Sequence, residues 1–257
     1  MALVEISVEE RIGFITLNRP EKRNALSPEM VTELKSAFAK MESDDAVKII
    51  VLRANGEVFC AGADLQYLQN LQRFSYEENL ADSKHLKELF LQIYTLSKIV
   101  IAQVQGAALA GGCGLATVCD FVYTVPEAKF GYTEVKIGFV PAIVMVFLLR
   151  KIGEGKAKEL LLTGELFASE EARALGIVTK IAAKNILETE VKNFASRLIS
   201  TTSAQSLSLT KKMISDVQHM KLEEALDFAS EQNAIARNTE DCKRGIDAFL
   251  NKQSLNW

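Results

Sequence analysis

Gln105-Gly106-Ala107-Ala108-Leu109-Ala110-Gly111-Gly112-Cys113-Gly114-Leu115-Ala116-Thr117-Val118-Cys119-Asp120 is the stretch whose reading decides the fold. Ahead of it, Ile99 to Val104 has the length and β-branched content of a buried strand. Behind its glycines, Leu115, Ala116, Val118 and Cys119 read as a helix packed on all sides. A glycine-rich strand-to-helix junction lets the backbone come close to a ligand, and the first N–H groups of the helix have no partner inside it. Those groups face either a phosphate or an oxyanion that forms during reaction. The competing reading is close helix–strand packing with no ligand. Neither Gly-x-Gly-x-x-Gly nor Gly-x-x-x-x-Gly-Lys-[Ser/Thr] occurs at this junction, so a nucleotide fingerprint is not supported.

The same pattern occurs once more upstream. Val47 to Leu52 reads as a buried strand feeding Ala54 to Leu65, a loop that carries Gly62-Ala63 and ends in a helix start. Two such turns on neighbouring strands of a parallel sheet can aim two backbone N–H groups at one point, which is how an oxyanion hole is built.

Further outward, Leu3 to Val8 and Arg11 to Leu17 predict a hairpin about Glu9-Glu10, and Asn18 to Asn24 a polar loop. Ser27 with Pro28 predicts a capped helix. Gln66 to Ser97 reads as helical with a break in Phe74–Asn79, serving as a solvated connection or as a lid. Phe121 to Thr124 reads as a third strand continued by Ala128 to Phe130. Two helices follow from Ile143 to Leu162, then a helix capped by Ser169 and a short strand at Gly176 to Thr179. From Leu187 onward the chain is helical, and the change in composition near residue 185 divides it into 1–185 and a helical subdomain, 186–257.

Glu134 stands in a mostly apolar run between Gly131 and Gly138. It is either an exposed loop carboxylate or one held in a pocket that raises its pKa, and only the second serves as an acid or base.

Composition excludes several classes. The 257 residues carry a formal net charge of −3, which gives no basic face for nucleic acid. Two histidines make a zinc site or a Ser-His-Asp triad improbable, and no metal or bound cofactor is expected. The four cysteines form no Cys-x-x-Cys pair and suit reduced thiols. No apolar run approaches the roughly 20 residues of a membrane span, and the acidic N-terminus is unlike a signal peptide, so a cytoplasmic protein is expected.

Taken together the chain resembles the crotonase superfamily, the enoyl-CoA hydratase/isomerase family. The resemblance rests on Asn18-Arg19-Pro20 with Asn24-Ala25-Leu26, Phe59-Cys60-Ala61-Gly62-Ala63-Asp64-Leu65, Val104-Gln105-Gly106, Ala110 to Ala116, Cys119-Asp120, Phe130-Gly131, Glu134 to Gly138, Pro141, Leu162-Thr163-Gly164, Ala172, Gly176-Ile177-Val178 and Ala248-Phe249. It implies an α/β crotonase (ClpP/crotonase-like) fold, a spiral of repeated ββα turns with a helical C-terminal region that makes a homotrimer, or a hexamer as a dimer of trimers. It implies acyl-CoA thioesters as ligands, coenzyme A being part of the substrate. The thioester oxygen would be held by the N–H groups of Ala63 and Gly111.

Typical enoyl-CoA hydratases carry two glutamates; the chain keeps the second, Glu134, and has Gly114 at the first. Two reactions suit one carboxylate: addition of water to a 2-enoyl-CoA, and transfer of a proton between C2 and C4 that turns a 3-enoyl into a 2-enoyl thioester. The run from Thr133 to Val144, with Gly112 to Leu115, is most similar to bacterial methylglutaconyl-CoA hydratases, which favours hydration. A non-catalytic acyl-CoA binder is the reading from another class. For coenzyme A the resemblance implies the loop Ala61, Gly62, Asp64 and Leu65, together with Gly112, Lys22 and Arg23. It also implies Phe249 and Lys252 from a neighbouring subunit, though Phe249 could equally be core and each base a solvated charge.

Overall fold

In the computed structural model residues 2–257 are described, the side chain of Leu65 excepted. The chain opens on a hairpin, β1 (Val4–Glu9) and β2 (Ile12–Leu17), paired from Val4↔Leu17 to Glu9↔Ile12. Its two-residue turn is Glu10-Arg11, one position later than expected, and both have positive φ (47° and 67°). That is the twist a two-residue hairpin favours.

Ser27 then caps α1 (Pro28–Ser43), accepting from the Met30 N–H, and β3 (Ile49–Ala54) follows. α2 (Leu65–Leu71) and α3 (Tyr76–Thr95) are separated at 72–75, where Ser75 and Glu78 form a capping box. After β4 (Ile99–Val104) come β5 (Ala108–Leu109) and α4 (Gly111–Thr117). Next are β6 (Phe121–Thr124), β7 (Lys129–Gly131), a 3-10 turn at Glu134–Ile137, α5 (Ala142–Ile152) and α6 (Glu154–Thr163). β8 (Phe167–Ala168), α7 (Ser169–Ala174) and β9 (Lys180–Ile181) lead to α8 (Leu187–Thr201), α9 (Ala204–Val217), α10 (Leu222–Arg237) and α11 (Glu240–Leu250).

The large sheet runs β1-β2-β3-β4-β6-β9 and is parallel apart from the hairpin. A small sheet runs β5-β7-β8, and single parallel bridges Leu26↔Ala63 and Cys60↔Ala108 extend its line upstream. Each of β2, β3, β4 and β6 therefore passes through a short step in that second line before its helix. This is the repeated ββα turn, and it gathers the ends of successive turns at one edge. The spacer that was expected to prolong β6 belongs to the small sheet: Phe130 pairs with Ala108 and Phe167.

Two local expectations differ from the structure. Ser169 does not cap its helix; its hydroxyl is buried and donates to Val125 O (2.7 Å) and Ala128 O (3.2 Å). The strand expected at Gly176–Thr179 starts at Lys180. Gly176 turns with φ 84°, and the N–H groups of Ile177 and Val178 donate back to Ala172 O, so Thr179 is the first to reach β6.

β2 is buried along all six residues, so both faces of the sheet are covered. α8 lies on β3, β4 and β6 through Leu187, Val191, Ala195 and Ile199, so the helical region from 186 onward begins as part of the core. α10 and α11 differ. α10 buries none of its residues and α11 only Ala248, while Leu222, Leu226, Ile235, Ile246, Phe249 and Leu250 are exposed.

Candidate active site

The loop before α2 and the first turn of α4 abut. A β-carbon on Gly62 would come within 2.9 Å of Leu109 O and 3.4 Å of Gly111 N. Gly62 also has φ 89°, so a side chain is barred there by conformation and by space. Gly112 is equally confined, its missing β-carbon falling 2.2 Å from Cys60 O.

Leu26 sets the direction of the first turn. Its N–H donates to Gly62 O (2.7 Å) and its carbonyl accepts from Asp64 N–H (3.0 Å). In such a parallel bridge the residue between, Ala63, turns its own N–H the other way. On α4 the Ala110 N–H donates to Gly131 O, and the first bond closing on the helix is Gly114 N–H to Ala110 O. The N–H groups of Ala63 and Gly111 thus donate to no other group among the described residues. Ala63 is exposed and Gly111 half-buried, so both are open to a ligand.

The far end of α4 is held as firmly. Lys151 Nζ donates to Thr117 O and Cys119 O, both at 2.8 Å. Asp120 accepts from Val100 N–H and from Lys211 Nζ, both at 2.7 Å.

Glu134 arrives beside α4 because β7 ends on it: Gly131 takes the Ala110 N–H, and Tyr132 OH pairs with Thr117 Oγ1 at 2.8 Å inside the core. Of the two readings left open by sequence, the structure selects the pocket. Glu134 is 9 % exposed and its Oε2 has no hydrogen-bond partner among the described residues. Burial pushes its carboxyl above the usual range, opposed only in part by its own backbone N–H.

Gly114 is sealed. A β-carbon there would fall 2.1 Å from Val144 Cγ1, 2.7 Å from Val144 Cβ and 3.1 Å from Phe90 Cε1. Val144 of α5 fills the space in which any side chain at position 114 would begin.

The remaining expected residues spread outward. Ala61 is tied by its N–H to Arg23 O, and the side chains of Lys22 and Arg23 are exposed. Asp64 is buried: its Oδ1 accepts from Gln66 and Tyr67 N–H and its Oδ2 lies 2.8 Å from Arg19 Nη1, so its carboxylate faces protein. Leu65 opens α2, and its side chain lies outside the described residues. Phe249, 82 % exposed, and Lys252 stand at the open end of α11. A recess of about 430 Å³ lies away from Glu134, walled by Tyr94, Phe147, Leu207 and Ile214. Among the described residues no cluster of three or more His, Cys, Asp or Glu could hold a metal, and no helix is long and apolar enough to cross a membrane.

Sequence reasoning gave no role to Arg19, Asn24, Leu26, Val144 or Tyr132. The first three lay in the motif Asn18 to Leu26, where the signal was present without a function attached.

The model of the enoyl-CoA hydratase/isomerase family matches residues 7–257. The chain belongs to that family. Among curated relatives of this family member, a Thermus thermophilus protein named "Putative enoyl-CoA hydratase" is 44% identical over 249 residues, covering 96% of the chain and 98% of the relative. The crotonyl-CoA hydratase of Syntrophomonas wolfei is 34% identical over 251 residues, covering 97% and 95%. Among solved structures, an enoyl-CoA hydratase of Mycobacterium smegmatis superimposes with TM-score 0.93 at 30% identity, covering 99% of the chain and 98% of that structure. The family member therefore has the crotonase fold.

Proposed function

We propose that this enzyme adds water to a 2-enoyl-CoA thioester, with the N–H groups of Ala63 and Gly111 as the oxyanion hole and Glu134 as the only carboxylate. The supporting observation is the buried Glu134 carboxyl, its Oε2 without a partner among the described residues, beside a helix whose two neighbouring donors are unused. Ionised Glu134 takes a proton from water as the water oxygen bonds to C3. Electrons move to the thioester oxygen, where two N–H donors stabilise the enolate. The same carboxyl then returns its proton to C2, so one molecule of water is added and Glu134 is regenerated.

Val144 over Gly114 favours a second reading as well, because it removes the place of another acid. With one carboxylate, Glu134 can take a proton from C2 and return it at C4. The hydratase names of the relatives favour water addition.

Within this reading the substrate is short or branched, 3-methylglutaconyl-CoA being the candidate from leucine breakdown, and the setting is the cytoplasm. Lys22 and Arg23 contact the coenzyme A phosphates, and the backbone of Ala61 to Leu65 with that of Gly112 lines its adenine and thioester ends, the Asp64 carboxylate being turned into the protein. Homotrimers, alone or paired as hexamers, cover the exposed apolar faces of α10 and α11 and bring Phe249 and Lys252 to a neighbour's ligand.

A panel of 2-enoyl and 3-enoyl thioesters, including crotonyl-CoA and 3-methylglutaconyl-CoA, tests the reading. Loss of the conjugated absorbance of 2-enoyl substrates is expected. Conjugation appearing only from 3-enoyl substrates selects the isomerase, and coenzyme A binding without turnover on any member selects a non-catalytic binder.

A further inference from the structure

The N–H of Ala63 is useful only if its direction is fixed, and that direction is set by two polypeptide segments distant in sequence. Asp64, the next residue, commits one carboxylate oxygen to the first turn of α2, accepting from Gln66 N–H (2.9 Å) and Tyr67 N–H (3.2 Å). The other oxygen lies 2.8 Å from Arg19 Nη1. That nitrogen is buried and has no other partner; the pair is close but not aligned as a hydrogen bond. Burial pushes the Asp64 carboxyl up, but the Tyr67 and Gln66 N–H groups and the Arg19 charge outweigh it, and the group stays below the usual range.

Arg19 is itself immobilised. Asn24, wholly buried and held at φ 53°, accepts from Arg19 N–H (2.9 Å) and donates to Asn55 O and Val58 O (both 2.8 Å). One amide thus clamps the 19–24 loop onto the segment that runs into Cys60. Leu26 and Arg23 complete the frame by bonding Gly62, Asp64 and Ala61. Within this frame the Asp64 carboxylate is paired with Arg19, and Glu29 lies within electrostatic reach of both.

The geometry points to Arg19 as a positioning residue that fixes the Ala63 N–H through Asp64, so that Arg19 acts on the rate of the chemical step without touching substrate. The inference rests on the proposed oxyanion hole, and it is tested with a probe that needs no turnover. Saturated butyryl-CoA labelled with ¹³C at the carbonyl reports polarisation by the hole as a downfield shift on binding.

Wild type, Arg19→Gln, Arg19→Lys, Asp64→Asn and the double variant Arg19→Gln/Asp64→Asn are compared by this shift and by kcat and KM. In Arg19→Gln at least half of the bound-state shift is lost and kcat falls about 10-fold, with KM for the thioester within about two-fold, since a misplaced donor costs rate more than binding. Asp64→Asn, which keeps the cap but not the charge, behaves alike, and the double variant is no worse than either. Should Arg19→Gln not fold, Arg19→Lys retains the charge without the planar fork and gives a smaller loss of the same kind.

An unchanged shift and kcat in Arg19→Gln, a loss confined to KM, or losses that multiply in the double variant overturns the inference. No shift in wild type does so too. A wild type that polarises the carbonyl yet hydrates nothing defeats the hydratase reading and leaves the positioning role standing.

Discussion

Val144 Cγ1 stands 2.1 Å from the point that a β-carbon on Gly114 would occupy. Val is branched at Cβ and its own Cβ is 2.7 Å from that point, so no rotamer change makes room. Position 114 therefore has no room for a side chain while Val144 stands over it.

Overpacking follows if that space is contested. Gly114→Ala is expected to cost about 1–3 kcal/mol, and adding Val144→Ala to recover part of it, because the second change removes the closest contact, Cγ1, while the Cβ at 2.7 Å stays. A double-mutant cycle in urea measures the coupling; additive losses would show that the two sites do not meet.

Glu134→Gln keeps size and removes the base. Turnover should fall about 10²- to 10⁴-fold, the range of a single general base, while binding of butyryl-CoA stays within a few-fold. Steady-state kinetics with isothermal titration reads both quantities.

Acidity gives a signed test. Because burial raises the Glu134 pKa above its ordinary 4.5, activity that needs the ionised carboxylate is expected to rise with pH to a midpoint above that value. Stability runs the opposite way. Between the unfolded and the raised folded pKa the native chain holds the extra proton, so this group's contribution is complete at low pH and is lost as pH rises through the folded value. Melting curves should show Glu134→Gln more stable than wild type at about pH 8, the gap closing as pH falls below 4.5.

Asn24→Ala strands the Asn55 carbonyl and the Arg19 N–H, leaves Val58 O with only the longer bond from Gln105 Nε2 (3.3 Å), and places a β-carbon without a local hydrogen bond at φ 53°. A loss of about 3 kcal/mol or more is expected by chemical denaturation.

Much of the fold was legible because its elements announce themselves locally. Ile49 to Leu52 and Ile99 to Ala102 are continuous apolar runs, and Ser27-Pro28 is a helix start that the Met30 N–H honours. What sequence could not show was decided by partners far away. Ser169 looks like a cap until Val125 and Ala128 offer it two buried carbonyls, and the Gly176 segment looks like a strand until Ala172 claims its N–H groups. Glu134 was a choice between loop and pocket, since burial depends on the distant α4 and α5. Val144 closes the run from Thr133 that carries the resemblance but had no role of its own there: one valine in an apolar helix is indistinguishable from its neighbours until Gly114 is seen beneath it.

Cys113 sits two residues beyond Gly111, with Tyr132 and Glu134 around it, and burial pushes its thiol up to about 12. At neutral pH the thiol stays protonated, and the thiolate, the form that attacks acyl carbons, is suppressed. A thiolate able to reach a thioester in the proposed site would exchange with the pantetheine sulfur and capture the acyl group on the protein, and Cys113, with no exposed surface, is closed to that exchange. Keeping that sulfur protonated leaves the acyl chain on its carrier for the whole visit, ready for whichever protein receives it next.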